Sequence, residues 1–183
     1  MFILNRKNLS YRNLANSITG FRLLLGLPIT ILLSNNNILF AWILIIIGGI
    51  SDWLDGWLAR RSQTSSKWGA QFDPLADKIM VLVPILWLLK SNLLPLWSIW
   101  ILISRELIVT AWRRDERNGA PASYIGKIKT SFQFVSILIL LSPISFIESN
   151  LGLMIRNTGF IFFYISLIMS FISAYNYLSN QLD

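Results

Sequence analysis

Long apolar runs, each broken by a short polar or basic stretch, follow one another along the chain. The first covers about Ser17 to Leu33 and holds Pro28, a residue able to kink a helix. Ser34-Asn35-Asn36-Asn37 interrupts it, and the second runs from about Ile38 to Ala59, with Asp52 and Asp55 in its last turns. Arg60 to Gln71 is polar and basic. The third run, about Phe72 to Leu89, opens with Asp73 and Asp77, and Lys90 to Pro95 reads as a short turn. The fourth is about Leu96 to Trp112, followed by Arg113-Arg114-Asp115-Glu116-Arg117 and a loop with Gly119 and Pro121. The fifth is about Tyr124 to Leu141, ended by Ser142-Pro143, with a loop over Ser145 to Asn150. The sixth is about Leu151 to Leu178. A bilayer takes about 20 helical residues to cross, and each run is near or above that. No period-2 pattern and no internal repeat is visible. The pattern predicts an all-α integral membrane protein of six transmembrane helices, one domain over residues 1–183, with residues 1–15 as a cytoplasmic or interfacial lead-in.

Composition agrees. Of 183 residues, 54% are hydrophobic and 14% charged, and the mean hydropathy is +0.57. The chain has no Cys, which excludes disulfides and thiol chemistry, and no His, the commonest general base. The net charge of +7 suits anionic lipid heads or phosphorylated substrates. It does not suggest nucleic acid, because the basic residues are dispersed between apolar spans. They alternate by side. Arg6, Lys7 and Arg12, then Arg60, Arg61 and Lys67, then Arg113, Arg114 and Arg117 fall on one side of six spans; Lys90 and Arg156 fall on the other. The positive-inside rule makes the first side cytoplasmic, together with both termini.

Acidic residues inside apolar runs change the picture. The chain has nine acids, and Asp52, Asp55, Asp73 and Asp77 all lie near the cytoplasmic ends of spans two and three. An intramembrane charge costs roughly 2.5 to 3.5 kcal/mol on insertion scales. Asp52 and Asp55 are spaced i, i+3, and Asp73 and Asp77 i, i+4, so each pair shares a helix face. Gly56 and Ala59 lie on or near the face of the first pair and let a backbone or flat ligand approach. Two such helices facing each other would bring four mutually repelling carboxylates together. A divalent cation resolves the repulsion, and hard oxygen donors without His or Cys favour Mg²⁺, Mn²⁺ or Ca²⁺ over zinc.

Asp52-x-x-Asp55-Gly56-x-x-Ala59-Arg60, eight residues, then Gly69-x-x-x-Asp73-x-x-x-Asp77 resembles the signature of the CDP-alcohol phosphotransferases. These are integral membrane enzymes that pass a phosphoryl-lipid unit from a CDP-linked donor to an alcohol. Every fixed position is filled at the family's spacing. The resemblance implies six helices around a cytoplasm-facing polar cavity, a homodimer, a CDP-diacylglycerol donor and two Mg²⁺ or Mn²⁺ ions. It implies that Asp52, Asp55 and Asp73 bind metal, with Asp77 near the second ion and also the general base for the acceptor hydroxyl. Gly56, Arg60 and Ser66 match positions that contact the cytidine diphosphate. Asn16-Ser17-Ile18-Thr19-Gly20-Phe21-Arg22 resembles the family's Asn-x-x-Thr-x-x-Arg segment, which implies donor contacts for Asn16 and Thr19. Trp53, Trp57 and Trp68 read as interfacial anchors, and Gly48-Gly49 as a close helix contact.

The acceptor side rests on other residues. Arg105-Glu106 lies well inside the fourth span, where flanking-charge bias does not account for an arginine. Arg113 is two turns on, and Lys127 and Lys129 open the fifth span. Cations at one cytoplasmic level suit an alcohol that carries phosphate. Ser104-Arg105-Glu106-Leu107, Arg113 and Tyr124-Ile125-Gly126-Lys127-Ile128-Lys129-Thr130 resemble the phosphatidylglycerophosphate synthase branch, which implies sn-glycerol 3-phosphate held by Arg105, Arg113, Lys127 and Lys129. Ala15 departs from that branch's usual Pro. The alternatives are a cardiolipin synthase, a phosphatidylinositol-phosphate or phosphatidylserine synthase and, outside the enzymes, a divalent-cation transporter built on the same aspartates.

Overall fold

In a computed structural model, the backbone is described over residues 6–62, 67–115 and 124–179, and side chains over 17–54, 72, 75–111, 126 and 128–175. All regular structure among these residues is helical. The α-helices are α1 (Arg6–Ser34), α2 (Ile38–Ser62), α3 (Lys67–Lys90), α4 (Leu96–Asp115), α5 (Tyr124–Leu140) and α6 (Asn150–Ser179), with a 3-10 turn at Pro143–Phe146. The chain divides into two compact units, residues 1–87 and 88–183.

Every apolar run is a helix, and several helices outrun their apolar stretch. α1 begins at Arg6 and continues unbroken through Pro28. α2 carries on to Ser62, and α3 starts at Lys67. Hydropathy marks where a helix could leave lipid, whereas backbone hydrogen bonding continues through polar turns that contain no breaker. The expected loop over Ser145 to Asn150 begins instead inside the 3-10 turn, with Ser145 Oγ donating to the carbonyls of Leu140 and Ser142 at 2.7 and 2.8 Å.

Two of the polar breaks stop their helices by one mechanism. Asn36 and Asn92 have φ of 57° and 56°, the left-handed region that Asn tolerates better than most residues. Asn36 N donates to Leu33 O and Asn37 N to Leu32 O; Asn92 N donates to Leu89 O and Leu93 N to Leu88 O. Both are Schellman caps that satisfy the last carbonyls of a helix. At the start of α6, Ser149 Oγ accepts from Gly152 N at 3.1 Å, an N-cap bond.

In the first unit α2 packs on α1. Trp87 Nε1 of α3 donates to Leu33 O at 2.8 Å. A side chain at Gly26 would meet Ile79 Cγ2 at 2.6 Å, and one at Gly48 would run into the end of Met80. These contacts make α1 and α3 parallel and α2 antiparallel to both. Leu25, Ile29, Leu33, Ala41, Ile45, Ala76, Met80 and Ile85 form the core.

The second unit has the same alternation. α5 and α4 both pack on α6. Leu140 lies against Gly159, Phe132 against Phe162, and Trp97 stacks on Tyr164. Its interior is more polar: Lys129, Gln133 and Ser136 on α5, and Ser166, Ser170 and Ser173 on α6, are all buried. On the outside, Leu24, Leu27, Phe40, Leu86, Trp100, Leu107, Met154, Ile161 and Ile168 stand exposed. Large apolar groups outside a partly polar interior depart from the order of a water-soluble fold, which rarely exposes continuous apolar surface. Ser17–Ser34 and Asn150–Tyr175 are long and apolar enough to cross a membrane; Ile38–Leu54 and Ile128–Leu140 are shorter apolar stretches.

Candidate functional site

In the first unit, charge is organised around Arg22. It lies on α1, one turn after the buried Thr19, and is 1% exposed. Its Nη1 donates to Asp52 Oδ1 of α2 and to Asp77 Oδ1 of α3 at 2.6 Å. The two carboxylates are about half exposed, at 54% and 52% of their side chains, while the guanidinium beneath them is closed off at 2%. A buried cation thus draws together acids that stand 25 residues apart in sequence and on different helices. This convergence is what the facing-helix argument requires. Sequence reasoning placed Arg22 in a motif without giving it a task. The available signal was an arginine inside an apolar run, which must find an acid nearby.

Two carboxylates from separate helices meeting at one positive point fit a hard divalent cation as well as they fit a guanidinium. The side chains of Asp55 and Asp73, the other expected ligands, lie outside the described residues. So do those of Asn16, Arg60 and Ser66 on the donor side, with the surroundings of Gly56, and those of Arg113 and Lys127 on the acceptor side. Among the described residues no three acids form a cluster.

In the second unit the signs are reversed. Glu106 of α4 accepts from Arg105 Nη1 at 3.1 Å and from Lys129 Nζ of α5. Arg105 Nε donates to the Ser170 carbonyl of α6 at 3.0 Å, so α4, α5 and α6 are joined at one level. Here too the cations are the more buried members, 11% and 7% exposed, and the acid is 30% exposed. Arg105 and Lys129, both read from sequence as anion-binding, do meet. Glu106 holds both.

The geometry can be compared with known proteins. A family model described as CDP-alcohol phosphatidyltransferase matches residues 12–172. The chain belongs to this family. As a CDP-alcohol phosphatidyltransferase it falls in a group of membrane enzymes that generally depend on divalent cations. Its similarity to curated relatives is consistent. A protein of Salmonella choleraesuis is 31% identical over 183 aligned residues, covering 91% of this chain and 93% of the relative. One of Sodalis glossinidius is 30% identical, covering 74% and 75%. One of Bacillus subtilis is 37% identical, covering 54% and 53%. All three are named CDP-diacylglycerol–glycerol-3-phosphate 3-phosphatidyltransferase. In this CDP-alcohol phosphatidyltransferase the matched region includes Arg22, Asp52 and Asp77 as well as Arg105, Glu106 and Lys129.

Proposed function

We propose that the protein transfers the phosphatidyl group of CDP-diacylglycerol to sn-glycerol 3-phosphate, giving phosphatidylglycerophosphate and CMP. The observation that carries this reading is that a relative with this named activity aligns over 91% of the chain. The acid-bearing and cation-bearing clusters both lie within the family match.

Asp52, Asp55, Asp73 and Asp77 would hold one or two Mg²⁺ or Mn²⁺ ions. A bound divalent cation supplies neutralisation and orientation of the donor's pyrophosphate. Arg22 fixes one oxygen each of Asp52 and Asp77, and so sets the spacing of the α2 and α3 carboxylates. Gly56, Arg60 and Ser66, with Asn16 and Thr19, bind the CDP part of the donor. Arg105, Arg113, Lys127 and Lys129 bind the acceptor's phosphate by charge-assisted hydrogen bonds. Asp77 takes the proton of the acceptor hydroxyl. The acceptor oxygen forms a bond to the lipid-side phosphorus, the bond from that phosphorus to the bridging oxygen breaks, and CMP leaves with the electron pair. The proton on Asp77 passes to solvent.

Six spans, with both termini and the aspartates cytoplasmic, one domain and a homodimeric assembly complete the proposal. The exposed apolar residues on α1, α2, α3, α4 and α6 support the spans, and the alternation of basic segments supports the orientation. A cation path would need acids along its length, whereas Glu106 is occupied by two cations.

The test is CMP release by purified protein in detergent with Mg²⁺, CDP-diacylglycerol and a panel of alcohols. Release that requires glycerol 3-phosphate is expected. Release that requires a different alcohol would discard the acceptor assignment, and no release with any alcohol would discard the enzyme reading.

A further inference from the structure

One buried hydroxyl in α6 makes no hydrogen bond among the described residues: Ser170 Oγ. Ser170 is 3% exposed. Three other buried helical serines return the hydroxyl to the carbonyl three residues back. Ser98 donates to Pro95 O at 2.8 Å, Ser136 to Gln133 O at 2.8 Å and Ser166 to Phe163 O at 2.7 Å. That arrangement is the ordinary way for a helix to satisfy a buried serine. Ser170 does not use it, although it lies on the same helix face as Ser166, one turn on. A buried polar group left in this way calls for a specific explanation.

Its surroundings supply one. The carbonyl of Ser170 itself accepts from Arg105 Nε, so the hydroxyl lies within one residue's reach of that guanidinium. Arg105 is tied through Glu106 to Lys129, and Gln133, one turn from Lys129, is also buried. The carboxylate keeps two cations together that would otherwise repel. The orphan hydroxyl therefore borders the cluster assigned above to the acceptor's phosphate. A lipid chain or an apolar side chain could not satisfy it; a phosphate oxygen accepts an O–H bond readily.

We infer that Ser170 Oγ is a hydrogen-bond donor to the anionic group of the acceptor alcohol, acting beside Arg105 and Lys129, and that α6 thereby takes part in acceptor selection. This rests on the acceptor reading given under the proposed function. It adds a residue from a helix that sequence analysis treated as a purely apolar span.

The experiment compares wild type, Ser170→Ala and Ser170→Thr in detergent with Mg²⁺ and CDP-diacylglycerol, varying glycerol 3-phosphate. A hydrogen bond to a charged group is worth about tenfold to a hundredfold in binding. Ser170→Ala should raise KM for glycerol 3-phosphate about tenfold or more, with the effect on KM exceeding that on kcat and KM for CDP-diacylglycerol moving less than about twofold. Ser170→Thr, which keeps the hydroxyl, should stay within about threefold of wild type. Thermal unfolding provides an independent readout. Without substrate, Ser170→Ala should melt no lower than wild type, because an unsatisfied hydroxyl contributes nothing to the fold, and the rise in Tm caused by glycerol 3-phosphate should shrink. An unchanged KM in Ser170→Ala overturns the inference and leaves the proposed function intact. A lower Tm with an undiminished response to glycerol 3-phosphate assigns the hydroxyl to a structural water and overturns it as well. A wild type that turns over without glycerol 3-phosphate overturns the proposed function, and the inference with it.

Discussion

The two units solve the same electrostatic problem with opposite signs. In the first, one buried arginine lies under two half-exposed carboxylates; in the second, one partly exposed carboxylate lies between two buried cations. Both clusters join three helices, and both have two helices parallel and one antiparallel. In both, the cations are the more buried members; the difference lies in which charge is in excess. Where two acids share one cation, the cluster offers oxygen ligands to a further cation. Where two cations share one acid, it offers donors to an anion. The ratio of charges that the helices bring together therefore assigns a direction to each cluster that the residue types alone do not.

The largest expected effect is on chemistry in the acid cluster. Asp77→Asn keeps the shape and an oxygen for Arg22 but removes the base. CMP release should fall about a hundredfold or more, with Tm changing little. Activity within a few-fold of wild type would remove Asp77 from the proton-transfer role and leave it a holder of charge.

Breaking each cluster at its centre comes next, and the two units should respond unequally. Glu106→Gln leaves Arg105 and Lys129 buried without the carboxylate they share. Removing one partner of a buried pair costs about 3–5 kcal/mol, and a figure near 3 is expected because Glu106 is itself part-exposed. Arg22→Leu leaves the acids at half exposure, where water screens them, so the loss should be nearer about 2 kcal/mol. Rescue should follow the sign of the charge left behind. Inorganic phosphate should raise the Tm of Glu106→Gln more than that of wild type, and Mg²⁺ should do so for Arg22→Leu. Equal costs, or rescue by the wrong ion, would show that the charge in excess does not set the direction of these sites.

This comparison also separates what could be read from the chain from what could not. The apolar runs, the turn at Asn36 and the aspartate spacing were legible because each depends on residues near one another in sequence. The early start of α1 at Arg6 was not, because hydropathy reports lipid compatibility and a polar turn can be helical. Arg22 lies 30 residues from Asp52 and 55 from Asp77, distances at which spacing says nothing of contact. Glu106 stands next to Arg105 in sequence, but its second cation, Lys129, comes from another helix. Ser170 sits in a run apolar enough to pass as lipid-facing. A signal was nonetheless present: Ser166, Ser170 and Ser173 recur at i, i+4 and i+7, one face of a helix, and all three are buried.

The smallest effects contrast how tightly the units are built around their glycines. At Gly152, an added Cβ would collide with the carbonyl oxygen of Ile147 and come within 2.8 Å of that of Ile144. These are backbone atoms of the turn leading into α6, so the cap around Ser149 would have to move. Gly152→Ala should cost about 1–2 kcal/mol, the lower part of the range for overpacking. At Gly48 the first obstacle is the terminal methyl of Met80, an unbranched side chain that can turn aside. Gly48→Ala should cost under about 1 kcal/mol, because replacing a mid-helix glycine also recovers roughly that much backbone entropy. Tm shifts for the two variants, measured side by side in one detergent, decide the matter. A larger shift at Gly48 would mean that α2 and α3 are held by a rigid core rather than by an adaptable one, and Met80→Leu should then restore nothing.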